Sequence, residues 1–331
     1  MSGAWMNKLQ AFIEQRVPVK KIHIPNELTT YAAQLEAVRF LKPQIDNNPF
    51  YFKGLLSQYI RCIEALDEET SDEIYELYVD PKILNAKELP PDVPDMIKYQ
   101  VGGFNVDFSS SADDVLTMKE MPRLISGNNT TGLRTWEAAL FLSNILNDKD
   151  ACVKPVPIDL KGKTVVELGC GTGLLGLSLA KHHHRHSPLQ KIFLTDGSSI
   201  VFENMNETLR ENDLSDADEL QFQQLIWGEP LTIQEDIDMV IAADVTYDSR
   251  ILEPLCRTIN DFFDLNKLQF AVIAATVRNL ETIQSWEQEL DQWFPNRWKI
   301  AIQEASPGTM SANCYFDVNT PEIRIYTIKR D

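Results

Sequence analysis

The sequence has no pair of cysteines at metal-ligand spacing. Its five cysteines (Cys62, Cys152, Cys170, Cys256 and Cys314) are scattered and odd in number. That argues against a disulfide framework and a cysteine zinc site, and it points to a reducing compartment, expected to be the cytoplasm. Long apolar runs are missing too. The longest, Phe270 to Val277, falls far short of the ~20 residues a spanning helix needs, so no membrane association is expected. Residues 1–17 carry charges inside their apolar pattern, so no signal peptide is expected, and the sequons at Asn128 and Asn206 should stay unglycosylated. Positive charge is scarce: Lys and Arg number 31 against 49 Asp and Glu, for a net charge of −18. Direct nucleic-acid binding needs a positive footprint and is therefore not expected. A basic protein surface is the complementary partner, while for any one acidic run solubility alone is the better account. Internal repeats and low-complexity segments are absent, and a monomer is expected.

The 331 residues leave room for one large or two modest domains. Stretches 7–17, 28–41, 51–66 and 71–78 carry apolar residues at three- and four-residue spacing and predict helices, punctuated by prolines at 18, 25, 43 and 49. Residues 1–95 thus read as a small helical domain without a catalytic motif. They contain the densest acidic stretch, Glu64 to Asp95. The KELPPDVP segment (87–94) reads as a linker, and 97–125 as a β-hairpin around Gly102-Gly103 that opens a second domain, 96–331.

What is present in that second part is a strand–turn–helix of unusual composition. In TVVELGCGTGLLGLSLA (164–180) an apolar strand runs into three alternate glycines, Gly169, Gly171 and Gly173, and then into an apolar helix. Glycine allows a tight turn, positive φ and close approach of a ligand to the backbone. The helix N-terminus that follows offers free N–H groups. Glu167 ends the strand. Asp196 ends a second strand, Ile192 to Thr195, where a carboxylate can hold a ribose diol. Gly171, Gly173 and Gly176 also spell the dinucleotide fingerprint G-x-G-x-x-G. An acidic residue at the strand end, however, suits an amine and a sulfonium and would repel a pyrophosphate.

Further strands are predicted at 222–226, 239–243, 270–275, 298–302 and 323–328, with helices at 135–146, 199–212, 252–264 and 280–293. This alternation argues for an α/β fold with a mostly parallel sheet covered on both faces. The last two strands lack a helix between them, as an antiparallel pair would. Ligands of such sheets bind beyond the carboxyl ends of the strands. Those ends carry Gly169 to Gly173, Asp196, Ile226-Trp227-Gly228, Ala242 to Tyr247 and Thr276 to Asn279. Asp244 and Tyr247 share a face if the chain turns helical there, and an Asp helix cap with a packed Tyr is the competing reading. The run His182 to His184 with His186 lacks neighbouring ligands in sequence. It reads as an exposed helix end, and no metal site is expected.

The strings ELGCGTGLLGL, Trp227-Gly228 and ADVTY resemble the D-x-x-Y family of seven-strand, class I S-adenosylmethionine-dependent protein lysine methyltransferases. Within it, TTGLRTWEAALFL (130–142), AADVTY (242–247) and TVRNLET (276–282) are most similar to the enzymes that modify elongation factor 2. The resemblance implies a Rossmann-like seven-strand sheet with a C-terminal antiparallel strand and an N-terminal helical domain. It implies S-adenosylmethionine as cofactor and a lysine of elongation factor 2 as substrate. Carried over residue by residue, cofactor contacts fall on Trp136, Gly169, Cys170, Gly171, Asp196, Trp227 and Ala243, with Glu167 and Gly173 beside them. The D-x-x-Y positions fall on Asp244 and Tyr247 as catalytic residues. The N-P-P-Y tetrad of adenine and glutamine N-methyltransferases is absent at the fourth strand. A same-fold methyltransferase of another protein or of a small amine, and a non-catalytic protein that holds the cofactor or a partner, remain the competing readings, with a dehydrogenase further off.

Overall fold

The computed structural model describes residues 2–103, 114–127, 130–148, 159–183, 188–301 and 314–330. Five helices come first: α1 (Ser2–Glu14), α2 (Tyr31–Leu41), α3 (Pro49–Glu64), α4 (Asp72–Val79) and α5 (Pro81–Leu84). Two of these helices start on capping side chains. Asn48 caps α3 by accepting the Tyr51 N–H at 3.1 Å, with Pro49 at the first helical position. Ser71 caps α4 through the Ile74 N–H. Phe52, Leu56, Ile60 and Ile63 fall on one face of α3 and bury against Leu28, Ile74 and Ile83, so these helices have a hydrophobic core of their own.

The hairpin follows as β1 (Asp95–Gln100) and β2 (Val115–Glu120), paired antiparallel. Then come α6 (Glu137–Asn147), β3 (Thr164–Leu168), α7 (Leu174–His183), β4 (Lys191–Asp196), α8 (Ser199–Glu211), β5 (Leu220–Gln224), β6 (Met239–Ala243), α9 (Leu252–Leu265), β7 (Phe270–Thr276), α10 (Leu280–Trp293), β8 (Trp298–Ile300) and β9 (Ile323–Lys329). Seven strands form one sheet in the order β5-β4-β3-β6-β7-β9-β8. All are parallel except β9, which runs antiparallel between β7 and β8. Every residue of β3 is buried, as a central strand covered on both faces requires. One face packs on α6, α7 and the hairpin, the other on α9 and α10.

Three expectations need correction. The third strand of the sheet, β5, starts and ends two residues earlier than its apolar pattern suggested. It is an edge strand with one open side, and Phe222 and Ile226 are left largely exposed while Leu225 turns into the core. The predicted helix at 135 starts at Glu137, and Trp136 stands outside it as a half-buried cap residue. The third concerns His182, expected on an exposed helix end. It is buried, with Nδ1 2.7 Å from Asp114 Oδ1, because the hairpin lies across the last turn of α7. His184, His186, Asn128 and Cys152 lie outside the described residues. Among the described residues no helix is long and apolar enough to cross a membrane.

The helical region is locked to the hairpin through Asp95. One oxygen accepts Arg16 Nε at 3.3 Å and the other accepts Asn48 Nδ2 at 2.7 Å, while Arg16 Nη2 also reaches the Met96 carbonyl. Both members of the ion pair are almost wholly buried. Breaking such a pair leaves a buried charge uncompensated, at a cost of about 3–5 kcal/mol. Asp95→Ala should therefore lower the urea midpoint by a corresponding amount. The double change Arg16→Met with Asp95→Leu should restore most of it.

Candidate active site

The carboxyl ends of five strands meet at one edge of the sheet. Leu168 is level with Thr195 on one side and Ala242 on the other, and Ala243 with Ala274. The chain leaves β3 toward β4 and β5 and returns to β6 on the opposite side, so the topological switch lies between β3 and β6. A cavity of about 670 Å³ opens there. Its size suits a ligand of nucleoside dimensions, since such pockets run ~300–1,000 Å³.

Trp136, Glu167, Gly169, Cys170, Gly171, Asp196, Trp227, Ala243, Asp244 and Tyr247 all line it. Gly173 does not. It sets the entry into α7 at φ 83°, where a Cβ would come within 2.9 Å of Met205. Gly169 and Gly171 also have positive φ, 65° and 52°. A Cβ on Gly169 would stand 2.9 Å from Val245 and 3.1 Å from the Trp227 ring, so the indole leans directly on the turn. The side chain of Cys170 points into the core, leaving its backbone at the cavity. Gly132, from the segment before α6, closes over Gly171.

Two carboxylates hold the turn in shape. Asp196 Oδ2 accepts the Gly171 N–H at 3.0 Å and Oδ1 accepts the Ser198 N–H at 2.9 Å. Burial raises its pKa, and these N–H bonds oppose the rise. Glu167 Oε2 accepts the Gly176 N–H at 2.9 Å, and a Cβ on Gly176 would sit 2.5 Å from that oxygen. The third glycine of the apparent dinucleotide fingerprint therefore makes room for a glutamate. Glu167 is buried, which pushes its pKa up to about 8.

Asp244 sits at φ 55°, a conformation rare outside glycine, and its side chain is 5% exposed. Oδ1 accepts the Thr276 N–H at 2.9 Å. Oδ2 takes Thr276 Oγ1 at 3.0 Å, Arg278 Nη2 at 3.2 Å and the Ala138 N–H at 3.4 Å. No helix forms from Asp244 to Tyr247, and the next turn begins only at Ser249. Asp244 consequently serves the start of α6, the end of β7 and an arginine, in place of a cap on its own segment. Tyr247 stands at the cavity mouth, 58% exposed.

Trp136 donates its Nε1–H to the Thr131 carbonyl at 3.1 Å. Its ring lies between two guanidinium groups, Arg134 at 4.5 Å and Arg278 at 4.9 Å. Arg278 also pairs with Glu137. From the sequence, Thr276 and Arg278 are placed at a ligand-facing strand end without a particular role, and Arg134 is not singled out. All three stand in the strings TTGLRTWEAALFL and TVRNLET, so the signal was a cation beside a strand or helix end. Among the described residues no group of His, Cys, Asp and Glu has the geometry to hold a metal.

The sequence pattern of a lysine methyltransferase family matches residues 112–292. The chain belongs to that lysine methyltransferase family. Protein-lysine N-methyltransferase EFM3 of Saccharomyces cerevisiae is 33% identical over 235 residues, 68% of this chain and 64% of that protein. EFM3 of Chaetomium thermophilum is 37% identical over 179 residues, 52% of this chain and 50% of that protein. Protein-lysine N-methyltransferase EEF2KMT of Homo sapiens is 31% identical over 265 residues, 76% of this chain and 72% of that protein. The match thus spans less than two thirds of each of the two fungal relatives.

The family implies S-adenosylmethionine as cofactor, and the residues present fit it. The cavity is lined by the acids Glu167, Asp196 and Asp244 and by two arginines, Arg134 and Arg278, of which Arg278 is paired with Asp244; acids at the glycine turn suit a ligand bearing cationic groups better than a pyrophosphate. The glycine turn brings bare backbone to the cavity wall.

Glu167 gives a pH test of this wall. A carboxyl whose folded pKa is raised stabilises the fold below its ordinary value and loses that contribution as pH rises through the folded value. For Glu167 the window runs from 4.5 to about 8. The raised pKa values of Glu120 and Asp196 act with the same sign. The melting temperature of the ligand-free protein should fall across this window. Glu167→Gln, which keeps an acceptor for the Gly176 N–H, should flatten part of the fall.

Proposed function

We propose that the protein transfers methyl groups from S-adenosylmethionine to a lysine side chain of elongation factor 2. One observation carries this reading. The glycine turn with Asp196, and the pair Asp244 and Tyr247, open into a single cavity. When bound, the cofactor supplies a methyl group already activated on a sulfonium. The remaining work is holding and orientation. Asp196 is suited to a ribose diol, Trp227 to the flat face of an adenine, and the backbone of Gly169 to Gly171 to close approach. Trp136, Glu167 and Ala243 line the part of the cavity nearer the amino-acid end.

A free lysine has a pKa near ~10.4 and arrives charged, so it must lose a proton before it can act as a nucleophile. Asp244 sits in the cavity wall, its side chain directed by Thr276 and Ala138 and paired with Arg278, and orients the incoming amine. Tyr247 offers an exposed ring at the mouth, where an aromatic face attracts methylated ammonium. Water takes the proton. Elongation factor 2 as the substrate is supported by the strings at 130–142, 242–247 and 276–282. The helical region supplies a docking surface: Asp72, Glu73 and Glu76, on α4 within the acidic stretch 64–95, are exposed. An acidic surface of this kind raises association with a basic patch and weakens with salt.

The test is transfer of labelled methyl from S-adenosylmethionine to purified elongation factor 2 by the full chain, with mass spectrometry of the product. Label on a lysine is expected, falling as salt rises. Label only in another protein of a lysate overturns the substrate. No label in any protein overturns the activity. Asp196→Ala should weaken cofactor binding by about 10- to 100-fold in calorimetry, the value of one or two hydrogen bonds to a charged group. Asp244→Ala should abolish transfer.

A further inference from the structure

The two arginines of the cavity differ in one respect. Arg278 is satisfied: it pairs with Glu137 and with Asp244. Arg134 is not. Its guanidinium stacks on Trp136, yet it forms no hydrogen bond or ion pair among the described residues, and its Nε is buried without a partner. Glu120, whose charge it feels, is buried and has its two oxygens on Thr135, each at 2.8 Å. A buried N–H without an acceptor is costly, so such a group in a binding cavity is a site for an anion.

The position of Arg134 narrows the anion. The cavity runs from the ends of β4 and β5, with Asp196 and Trp227, to the ends of β6 and β7, with Asp244 and Arg278. Trp136 bridges Arg278 and Arg134, so Arg134 lies in the second half. Ribose and adenine are assigned to the first half, which leaves the amino-acid end of the ligand for the second. That end carries one anionic group. The three acids of the cavity wall cannot take it, and Arg278 is already occupied by two carboxylates. We propose that Arg134 binds the α-carboxylate of S-adenosylmethionine. The planar fork of a guanidinium matches a carboxylate with two parallel N–H bonds, and stacking on Trp136 fixes the plane of that fork in advance. This rests on the cofactor assignment above.

The experiment compares two ligands that differ only in this group, S-adenosylmethionine and its decarboxylated analogue, by calorimetry on the full chain. Arg134→Met keeps the apolar stem against Trp136 and removes the charge. It should weaken S-adenosylmethionine by about 10- to 100-fold and leave the analogue unchanged. Arg134→Lys keeps the charge without the fork, and should fall between the two. It also carries the test if the Met variant fails to fold. Equal loss for both ligands, or no loss for either, overturns the proposal. So does an unchanged affinity accompanied by a raised KM for the protein substrate, which would put an acidic substrate residue on Arg134. A wild-type chain that binds neither ligand overturns the cofactor assignment itself, and this inference with it.

Discussion

The carboxylate of Asp244 is the knot on which the site depends. It receives N–H or O–H donors from the end of β7 and from the first turn of α6, and a guanidinium from beyond β7. To reach them its own backbone is held at φ 55°, which costs of order 1–3 kcal/mol for a residue other than glycine. Neither α6 nor the arginine is bound to the sheet edge by apolar packing alone at this point. Remove the carboxylate and the start of α6 loses an acceptor, while Arg278 loses one of its two acids. Trp136, which stands at that helix start and stacks on that arginine, would lose its orientation too.

On the other side of the switch point a second kind of constraint operates. Glu167, Asp196 and Asp244 crowd three carboxylates around one cavity, in a protein already carrying excess negative charge. Burial raises the pKa of the first two. The turn tolerates this because each accepts a backbone N–H from the glycine segment, so the acids shape the loop as well as the field inside it. A ligand with cationic groups relieves the same crowding, and therefore stabilises the ionised forms that the empty cavity disfavours.

Much of this was legible in the sequence, and for identifiable reasons. The central strands are apolar on both faces, so β3, β6 and β7 stand out as runs. The glycines at 169, 171 and 173 are needed for positive φ and could be read as such. Less was legible where a residue's meaning depends on a distant partner. Glu167 was expected to face a ligand, and one of its oxygens turns out to serve Gly176. His182 was read by its place at a helix end, and the hairpin that covers it comes from some seventy positions earlier. Edge strand β5 misled because half-exposed Phe222 and Ile226 look like core. Arg134 and Arg278 carry no periodicity; Arg278 could be placed at a strand end, but the stacking of both on Trp136 is visible only in the structure.

The reciprocal hydrogen bonds between Gln15 and Tyr315, 2.8 Å each way, join two points 300 positions apart. Phe12 packs edge-on to the same tyrosine, and Lys21 pairs with Asp317. The sheet has a matching dependence: among the described residues β8 pairs with β9 alone, and β9 joins it to β7. N-terminal units fold as they leave the ribosome. Here the first helices can form early around their own core, but their contacts with Tyr315 and Asp317 do not exist until residue 317 has emerged. Until then Arg16 and Asn48, both held by Asp95, tie these helices to the hairpin, and Tyr315 and Asp317 add a second attachment made much later in synthesis.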